Sequence, residues 1–263
     1  MQREIDQILK RWKDSKIRKP LLVRGARQVG KSFSTEGFGK ANFDNLVVVN
    51  FEESPEFIDC FMDYQPKAII DRISILTNTT IKPQKSLLFL DEMQECPKAI
   101  SALRYFYEKM PELHVIGAGS LIEFVLKSEG FRMPVGRIQS VFMYPMFFAE
   151  FLWALNEMRL LEYIETIGVE TKIEPIFSQK LEHLFRLYLL IGGMPEAVSA
   201  YLNQVSMNEI QQLQSGLIRS YHDDFSKYAS TAKHKYLKEV FRNAPRVSCQ
   251  RYKYSNVNPA IES

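Results

Sequence analysis

Gly25-Ala26-Arg27-Gln28-Val29-Gly30-Lys31-Ser32 fits the pattern G-x-x-x-x-G-K-[ST]. Pro20-Leu21-Leu22-Val23, just upstream, is a short apolar run of the kind that forms a buried strand. Ser32 to Lys40, just downstream, can begin a helix. Strand, loop and helix in that order are the context in which such a loop cradles phosphate. Glycines at 25 and 30 can take φ values that a Cβ forbids, so successive N–H groups can turn inward around an anion. The following helix N-terminus adds partial positive charge at the same point. Lys31 would then reach the β- and γ-phosphates, and the Ser32 hydroxyl would ligate Mg²⁺. A glycine turn with a surface lysine would explain these residues one by one, but not the strand before them and the helix after.

Working outward, residues 2–13 place Ile5, Ile8, Leu9 and Trp12 at helical spacing, and Lys13 to Lys19 is a basic, polar link into the first strand. Leu46 to Phe51 is β-branched and continuous, which predicts a second buried parallel strand. Pro55 opens a helical stretch over 56–76, broken near Gln65-Pro66. A third strand, Ser86 to Leu90, runs into Asp91-Glu92. Pro97 opens a helix with Ile100, Leu103, Phe106 and Tyr107 on one face. A fourth strand, Leu113 to Ile116, ends in Gly117-Ala118-Gly119-Ser120. A short helix over 121–128, a loop over 130–136 and a fifth strand from Arg137 to Met143 complete this half. From Pro145 onward strand signals stop, and helical patterns cover 147–167, 176–191, 195–203, 207–221 and 234–243. Strands alternating with helices predict a parallel α/β sheet, and the helical run that follows predicts a second layer or domain.

Composition narrows the class without choosing the chemistry. The chain has 263 residues, and its net charge of +3 is too small to argue for nucleic acid by itself. No apolar run approaches the roughly 18 residues that span a membrane. Met-Gln-Arg-Glu-Ile-Asp at the start has no apolar signal core, which argues against export. Cys60, Cys96 and Cys249 are isolated, as expected in a reducing cytosol rather than a disulfide framework. His114, His183, His222 and His234 show no ligand spacing, so a metal site of protein side chains alone is not expected.

The chemistry concentrates after the third and fourth strands. A strand that ends in Asp91 delivers a carboxylate to the sheet edge where ligands of open α/β folds bind, and such an Asp holds Mg²⁺ through water. Glu92 is placed to orient and deprotonate an attacking water. A metabolite kinase needs no such base, because its acceptor is the nucleophile, so the pair favours hydrolysis. With no Asn-Lys-x-Asp guanine-reading motif, ATP is preferred to GTP. Ser120 fits a γ-phosphate sensor or a water-positioning group, with a helix N-cap as the plain alternative. It is not an elbow nucleophile, because G-x-S-x-G fails at Ala118 and Ile122. Arg137 can neutralise transition-state charge in its own or a neighbouring subunit, or lie at the surface. Asn50 can hydrogen-bond Glu92 in a resting state or simply make a strand-end turn. His222-Asp223-Asp224 cannot all face one ion on a helix and reads as structural. Gly192-Gly193-Met194-Pro195 breaks one helix and starts another, with no function readable from it.

From Lys227 to the end, eight Lys/Arg stand against Glu239 and Glu262, with Tyr228, Tyr236, Tyr252 and Tyr254 between them. That mixture suits phosphate contacts with aromatic stacking, or a solvated helical face. Asn258-Pro259 has the form of a helix start, yet the sequence stops four residues later, as in a truncated chain.

With these residues in place, the sequence resembles the uncharacterised prokaryotic AAA-type ATPases that join a P-loop domain to a C-terminal helical domain of unknown function. The resemblance is carried by Arg24 to Ser32, Phe89 to Gln94, Gly119-Ser120, Gly136-Arg137, Tyr144-Pro145 with Phe148 to Leu152, Gly192 to Glu196, and Tyr221 to Tyr228. It implies ATP binding and hydrolysis at Gly25 to Ser32, Asp91 and Glu92, with Ser120 as sensor. It also implies a winged-helix-like portion from about Tyr254 that this chain lacks.

The expected fold is therefore an α/β P-loop NTPase with a parallel five-stranded sheet in the order 5-1-4-3-2, followed by an all-helical domain. The nucleotide-binding domain is expected over 1–148 and the helical domain over 149–263. The expected function is Mg²⁺-dependent ATP binding and hydrolysis that couples the γ-phosphate state to the helical domain. The alternative is a nucleotide-dependent DNA-binding or signalling switch with negligible turnover. DNA or a protein is the expected partner of the C-terminal half. No membrane is expected, the location is expected to be cytoplasmic, and a homo-oligomer stays open.

Overall fold

The computed structural model describes residues 1–120, 122, 136–168, 171–228 and 231–248. The expected helix at 121–128, the loop at 130–136 and the chain end from 249 therefore lie wholly or mostly outside the described residues. Packing divides the chain into two compact units, Met1–Gln204 and Val205–Ser263.

The first unit is built on a five-stranded sheet. Strands β1 (Leu21–Arg24), β2 (Asn45–Asn50), β3 (Ser86–Asp91), β4 (His114–Gly119) and β5 (Gln139–Phe142) lie in the order β2-β3-β4-β1-β5. Every pairing is parallel, and read from the other edge the order is 5-1-4-3-2. β3 and β4 are buried along their whole length, as their unbroken apolar runs require. β5, at the edge, is largely exposed.

Alternation along the strands supplies two cores, one for each face of the sheet. Leu22, Leu88, Leu90 and Val115 face a core shared with α3 (Pro66–Leu76), α4 (Pro97–Lys109) and a short 3₁₀ helix at Pro55–Phe61. Leu21, Val23, Leu87, Phe89 and Ile116 face the other core, with α1 (Glu4–Lys13) and α2 (Lys31–Asn42). The result is a sheet between two helical layers, with α2 leaving β1 through the glycine loop.

Four helices follow within the same unit: α5 (Phe148–Ala154), α6 (Met158–Thr166), α7 (Pro175–Ile191) and α8 (Pro195–Leu202). The pattern over 147–167 predicts one helix, but two form. Asn156 takes a left-handed φ of 59°, which ends α5 and turns the chain into α6. Leu152, Leu160, Leu161 and Leu184 make a small core of their own. In the second unit, α9 (Met207–Tyr228) packs on α10 (Thr231–Val247). His222 sits edge-on against Phe225 and Phe241, a packing role. No helix among the described residues is long and apolar enough to cross a membrane.

His114 begins β4, with only 6% of its surface exposed, between the ring edges of Trp12 and Phe43. Its pKa is held down to about 4, chiefly by burial and next by the nearby Arg18 cation. A backbone hydrogen bond at Lys13 pulls the other way. The unfolded imidazole takes a proton below its ordinary 6.5, while the folded one resists until about 4. Stability should therefore fall as the pH drops through that window, by up to about 3 kcal/mol. Urea unfolding at pH 7 and pH 4.5 should show His114→Gln losing less stability between the two than the parent chain.

Candidate functional site

The loop from Gly25 to Ser32 leaves the end of β1 and closes on α2. Gly25 has φ 145°, and a Cβ there would lie 2.1 Å from the carbonyl oxygen of Met143. Only glycine fits so close to a second backbone. Gly30, at φ 94°, precedes the first residue of α2, so the loop ends at a helix N-terminus. Lys31 is buried, and its Nζ donates to the carbonyls of Gly25 (3.1 Å) and Ala26 (2.8 Å). Burial pushes its pKa down, Glu92 and Asp91 pull it up, and Arg27 pushes it down again.

β3 brings the acidic pair to the same place. Ser32 Oγ donates to Asp91 Oδ2 at 2.5 Å, across 59 residues of sequence. The backbone N–H of Glu92 donates to Asp91 Oδ1 at 3.0 Å. Burial pushes the Asp91 carboxyl up, and these two hydrogen bonds oppose it. Glu92 has a left-handed φ of 50°, which turns its side chain out of the strand direction. Gln94 Nε2 donates to Glu92 Oε2 at 2.5 Å. Asn50 instead accepts the N–H groups of Glu52 and Glu53, so it closes a turn and the resting partner of Glu92 is Gln94. Ser120 Oγ is buried and has no hydrogen-bond partner among the described residues.

Arg27, Lys31, Ser32, Glu92 and Ser120 line one cavity of about 250 Å³. A second cavity, of about 380 Å³, lies on the other side of Gln28, Gly30 and Phe33, with Met1, Pro195, Glu196 and Ser199 on its far wall. The turn at Gly192 to Pro195, whose purpose the sequence left open, is therefore a neighbour of the phosphate loop. Its seat is tight: Met146 N–H donates to Gly193 O at 2.6 Å, and a Cβ on Gly193 would lie 2.0 Å from Met146 O.

Arg137 is not brought to this site. Gln139, two residues on, pairs with Leu21 at the start of β1, whereas the loop leaves β1 after Arg24. Arg137 therefore sits at the opposite end of the strands from the loop, half exposed, with its Nε on Glu108 Oε1 at 3.0 Å. The expectation of a transition-state arginine within its own chain is corrected by that register.

Arg3, which the sequence did not single out within the helical stretch 2–13, braces the loop from behind. Its Nη1 donates to Val29 O (3.0 Å), its Nη2 to Tyr144 O (2.8 Å) and its Nε to Glu150 Oε1 (2.9 Å). Glu150 also accepts the N–H groups of Glu4 (2.7 Å) and Phe147 (3.3 Å), and both side chains of the pair are at least nine-tenths buried.

The strand order, the glycine loop ahead of α2 and the acidic end of β3 define a P-loop ATPase fold of the AAA type. The chain belongs to the AAA domain family, whose model matches residues 17–152, more than half of its length. A second model, a domain of unknown function (DUF8612), matches residues 182–263. No curated protein matches the chain. Among solved structures it is similar to the Walker-type ATPase PABY2304 of Pyrococcus abyssi, at 16% identity over 93% of this chain and 77% of that one, with a TM-score of 0.49. It is also similar to AMPPCP-bound DnaA from Aquifex aeolicus, at 10% identity over 98% and 82% of the two chains, with a TM-score of 0.40. DNA-bound Drosophila ORC follows at 11% identity, 94% and 67% coverage and a TM-score of 0.41. Family membership and strand order, not these distant likenesses, define the class.

The buried pair behind the loop gives a direct test. Glu150→Ala leaves the Arg3 cation buried without its counter-charge, which should cost about 3–5 kcal/mol in urea unfolding. The double variant Arg3→Met/Glu150→Leu should cost less than either single change. If Glu150→Ala is neutral, the pair is not what secures the loop.

Proposed function

We propose that the chain binds Mg²⁺-ATP at the glycine loop and hydrolyses it. The observation that carries this reading is Ser32 Oγ at 2.5 Å from Asp91, with Glu92 beside them in the loop cavity. The loop N–H groups and the N-terminus of α2 would hold the phosphates, and Lys31 would leave its carbonyls for the β- and γ-phosphates. Ser32 and Asp91 are hard oxygen donors and fit Mg²⁺, which keeps its remaining positions for water and phosphate oxygens. When bound, that ion would neutralise phosphate charge.

In the hydrolytic step the oxygen of a water bonds to the γ-phosphorus, and the bond from that phosphorus to the bridging oxygen breaks. The electron pair stays on ADP, and the Glu92 carboxylate takes the water's proton. Ser120, with its unpartnered hydroxyl in the same cavity, would position that water or sense the γ-phosphate. The second cavity suits the base, with Phe33 and Pro195 as apolar walls. Arg3 joins Val29 of the loop to Glu150 of α5, a route by which the γ-phosphate state could reach the helices. In this reading residues 1–148 carry the nucleotide and 149–263 respond. The isolated cysteines suit the reducing cytoplasm as its location.

The second reading, a switch with negligible turnover, has one observation in its favour: Gln94 already occupies the Glu92 carboxylate. In either reading the exposed Lys238, Arg242 and Arg246 recur every four residues on α10, a spacing that suits the phosphates of DNA.

Turnover separates the two readings. Phosphate release should require Mg²⁺, and Glu92→Gln should lower it by about 10²–10⁴-fold while ATP affinity persists. ATP binding without phosphate release in the parent chain, with or without DNA, would leave the switch standing and remove the hydrolase. For the basic helix, fluorescence anisotropy should show duplex DNA binding that weakens with salt and with Lys238, Arg242 and Arg246 changed to Gln. Equal binding by that triple variant rejects the helix as the DNA contact.

A further inference from the structure

The turn after β3 carries more than the acidic pair. Met93–Glu95 forms a 3₁₀ helix directly after Glu92, and two of its side chains lie against glycines of β4. A Cβ on Gly117 would lie 2.1 Å from Met93 Sδ, and one on Gly119 would lie 2.5 Å from Gln94 Oε1. β4 therefore offers two bare positions, and the turn is seated on them. Met93 fills its place as part of the core, whereas Gln94 is a polar side chain with only 8% of its surface exposed. A glutamine buried that far needs a polar partner.

That partner is Glu92, whose Oε2 accepts from Gln94 Nε2 at 2.5 Å. A carboxylate only accepts, so the amide nitrogen must face Glu92 and the amide oxygen must point away, to Gly119. There Oε1 is buried, with no hydrogen-bond partner among the described residues. An unmatched buried carbonyl is destabilising, and the bond to a charged acceptor at the other end of the amide offsets it. Glu92 itself has a left-handed φ of 50°, unfavourable for a residue with a Cβ. Its N–H on Asp91 Oδ1, the Glu95 N–H on its carbonyl and Gln94 on its carboxylate hold it there. Gln94 takes one carboxylate oxygen and leaves the other, since Glu92 Oε1 has no hydrogen-bond partner among the described residues. Glu92 lines the loop cavity and Gln94 does not, so Gln94 acts from behind the carboxylate.

We propose that Gln94 is the positioning residue for the general base: by holding Oε2 of Glu92, it keeps Oε1 in place to take the proton of the attacking water. The inference rests on the hydrolytic reading of the site. Gln94 exchanges no proton and touches no phosphate. As the water oxygen bonds to the γ-phosphorus and the bridging bond breaks toward ADP, the water's proton passes to Glu92 Oε1, while both Gln94 amide protons stay on nitrogen. An amide suits this task because it donates at any pH at which Glu92 is charged. A glutamate in its place would meet Glu92 as a second negative charge, and a methionine would fill the seat without donating. The bare Cα of Gly119 belongs to the same arrangement, since a side chain there would displace the amide.

The test uses the full chain, with Gln94→Met, Gln94→Glu, Glu92→Gln, Glu92→Ala and the double variants. The first readout needs no nucleotide. In urea unfolding, the separate losses from Gln94→Met and Glu92→Ala should together exceed the loss in the double variant, by about tenfold or more in the unfolding equilibrium constant. Additive losses overturn the pairing and the proposal. The second readout is single-turnover hydrolysis at saturating ATP, beside affinity for a non-hydrolysable ATP analogue. Gln94→Met and Gln94→Glu should each slow hydrolysis by about 10–10²-fold. Analogue affinity should stay within about threefold, which also shows that the variants are folded. In the Glu92→Gln background, Gln94→Met should slow hydrolysis no further, because the group it positions is already gone. A side chain that only packs the turn predicts otherwise: Gln94→Glu, of the same shape, would hydrolyse at the parental rate. That result overturns the proposal, and so does a Gln94→Met variant that hydrolyses as fast as the parent or faster. If Gln94→Met fails to fold, Gln94→Glu decides by the same measures. A parent chain that binds ATP without hydrolysing it removes the hydrolase reading and this role with it, while coupled unfolding would still show the contact itself.

Discussion

A cation sealed inside a protein must be matched, and the rest of the structure depends on how Arg3 is matched. Its guanidinium reaches three places at once: the carbonyl of Val29 in the glycine loop, the carbonyl of Tyr144 after β5, and the carboxylate of Glu150 on α5. A planar fork can satisfy three directions only if all three acceptors are held in place. The first residues of the chain, the loop and the start of the helical run are thereby locked into one arrangement. Burial makes the lock stringent, because an unmatched charge there would be several kcal/mol less stable than a matched one.

The sheet sets up that lock by register. Arg24 pairs with Gly119 on one side and Phe142 on the other, so the ends of β1, β4 and β5 arrive together at one edge. Asn50 pairs with Asp91, which brings the end of β2 level with the acidic end of β3. Side chains separated by 59 residues meet as Ser32 and Asp91 because the two parallel crossovers between β1 and β3 return the chain to the same end of the sheet each time. The chemistry of the site follows from that repetition.

Much of this was legible in the sequence. Unbroken apolar runs identify buried parallel strands, and Gly25 to Ser32 between a strand and a helix identifies the loop. Asp91 and Glu92 could be placed because they stand directly at a strand end. Arg137 could not, because a strand's residues say nothing about which end of the sheet they reach until the register is known. Arg3, Gln94 and Pro195 escaped for a related reason. Each acts through a partner distant in sequence or around a turn, and a single arginine, glutamine or proline has no periodicity to mark it. The break at Asn156 was hidden because apolar spacing continued across it, while a left-handed φ leaves no trace except the residue that tolerates it.

The bond from Arg3 to Glu150 spans 147 residues. A chain made from its N-terminus exposes the whole glycine loop long before α5 exists. Until then Val29 lacks its brace, and the carbonyl of Tyr144 has not yet been synthesised. Closing so long a loop is entropically slow and gains nothing until the last partner arrives. The glycine loop is thus among the first parts of the fold to be written and among the last to be braced.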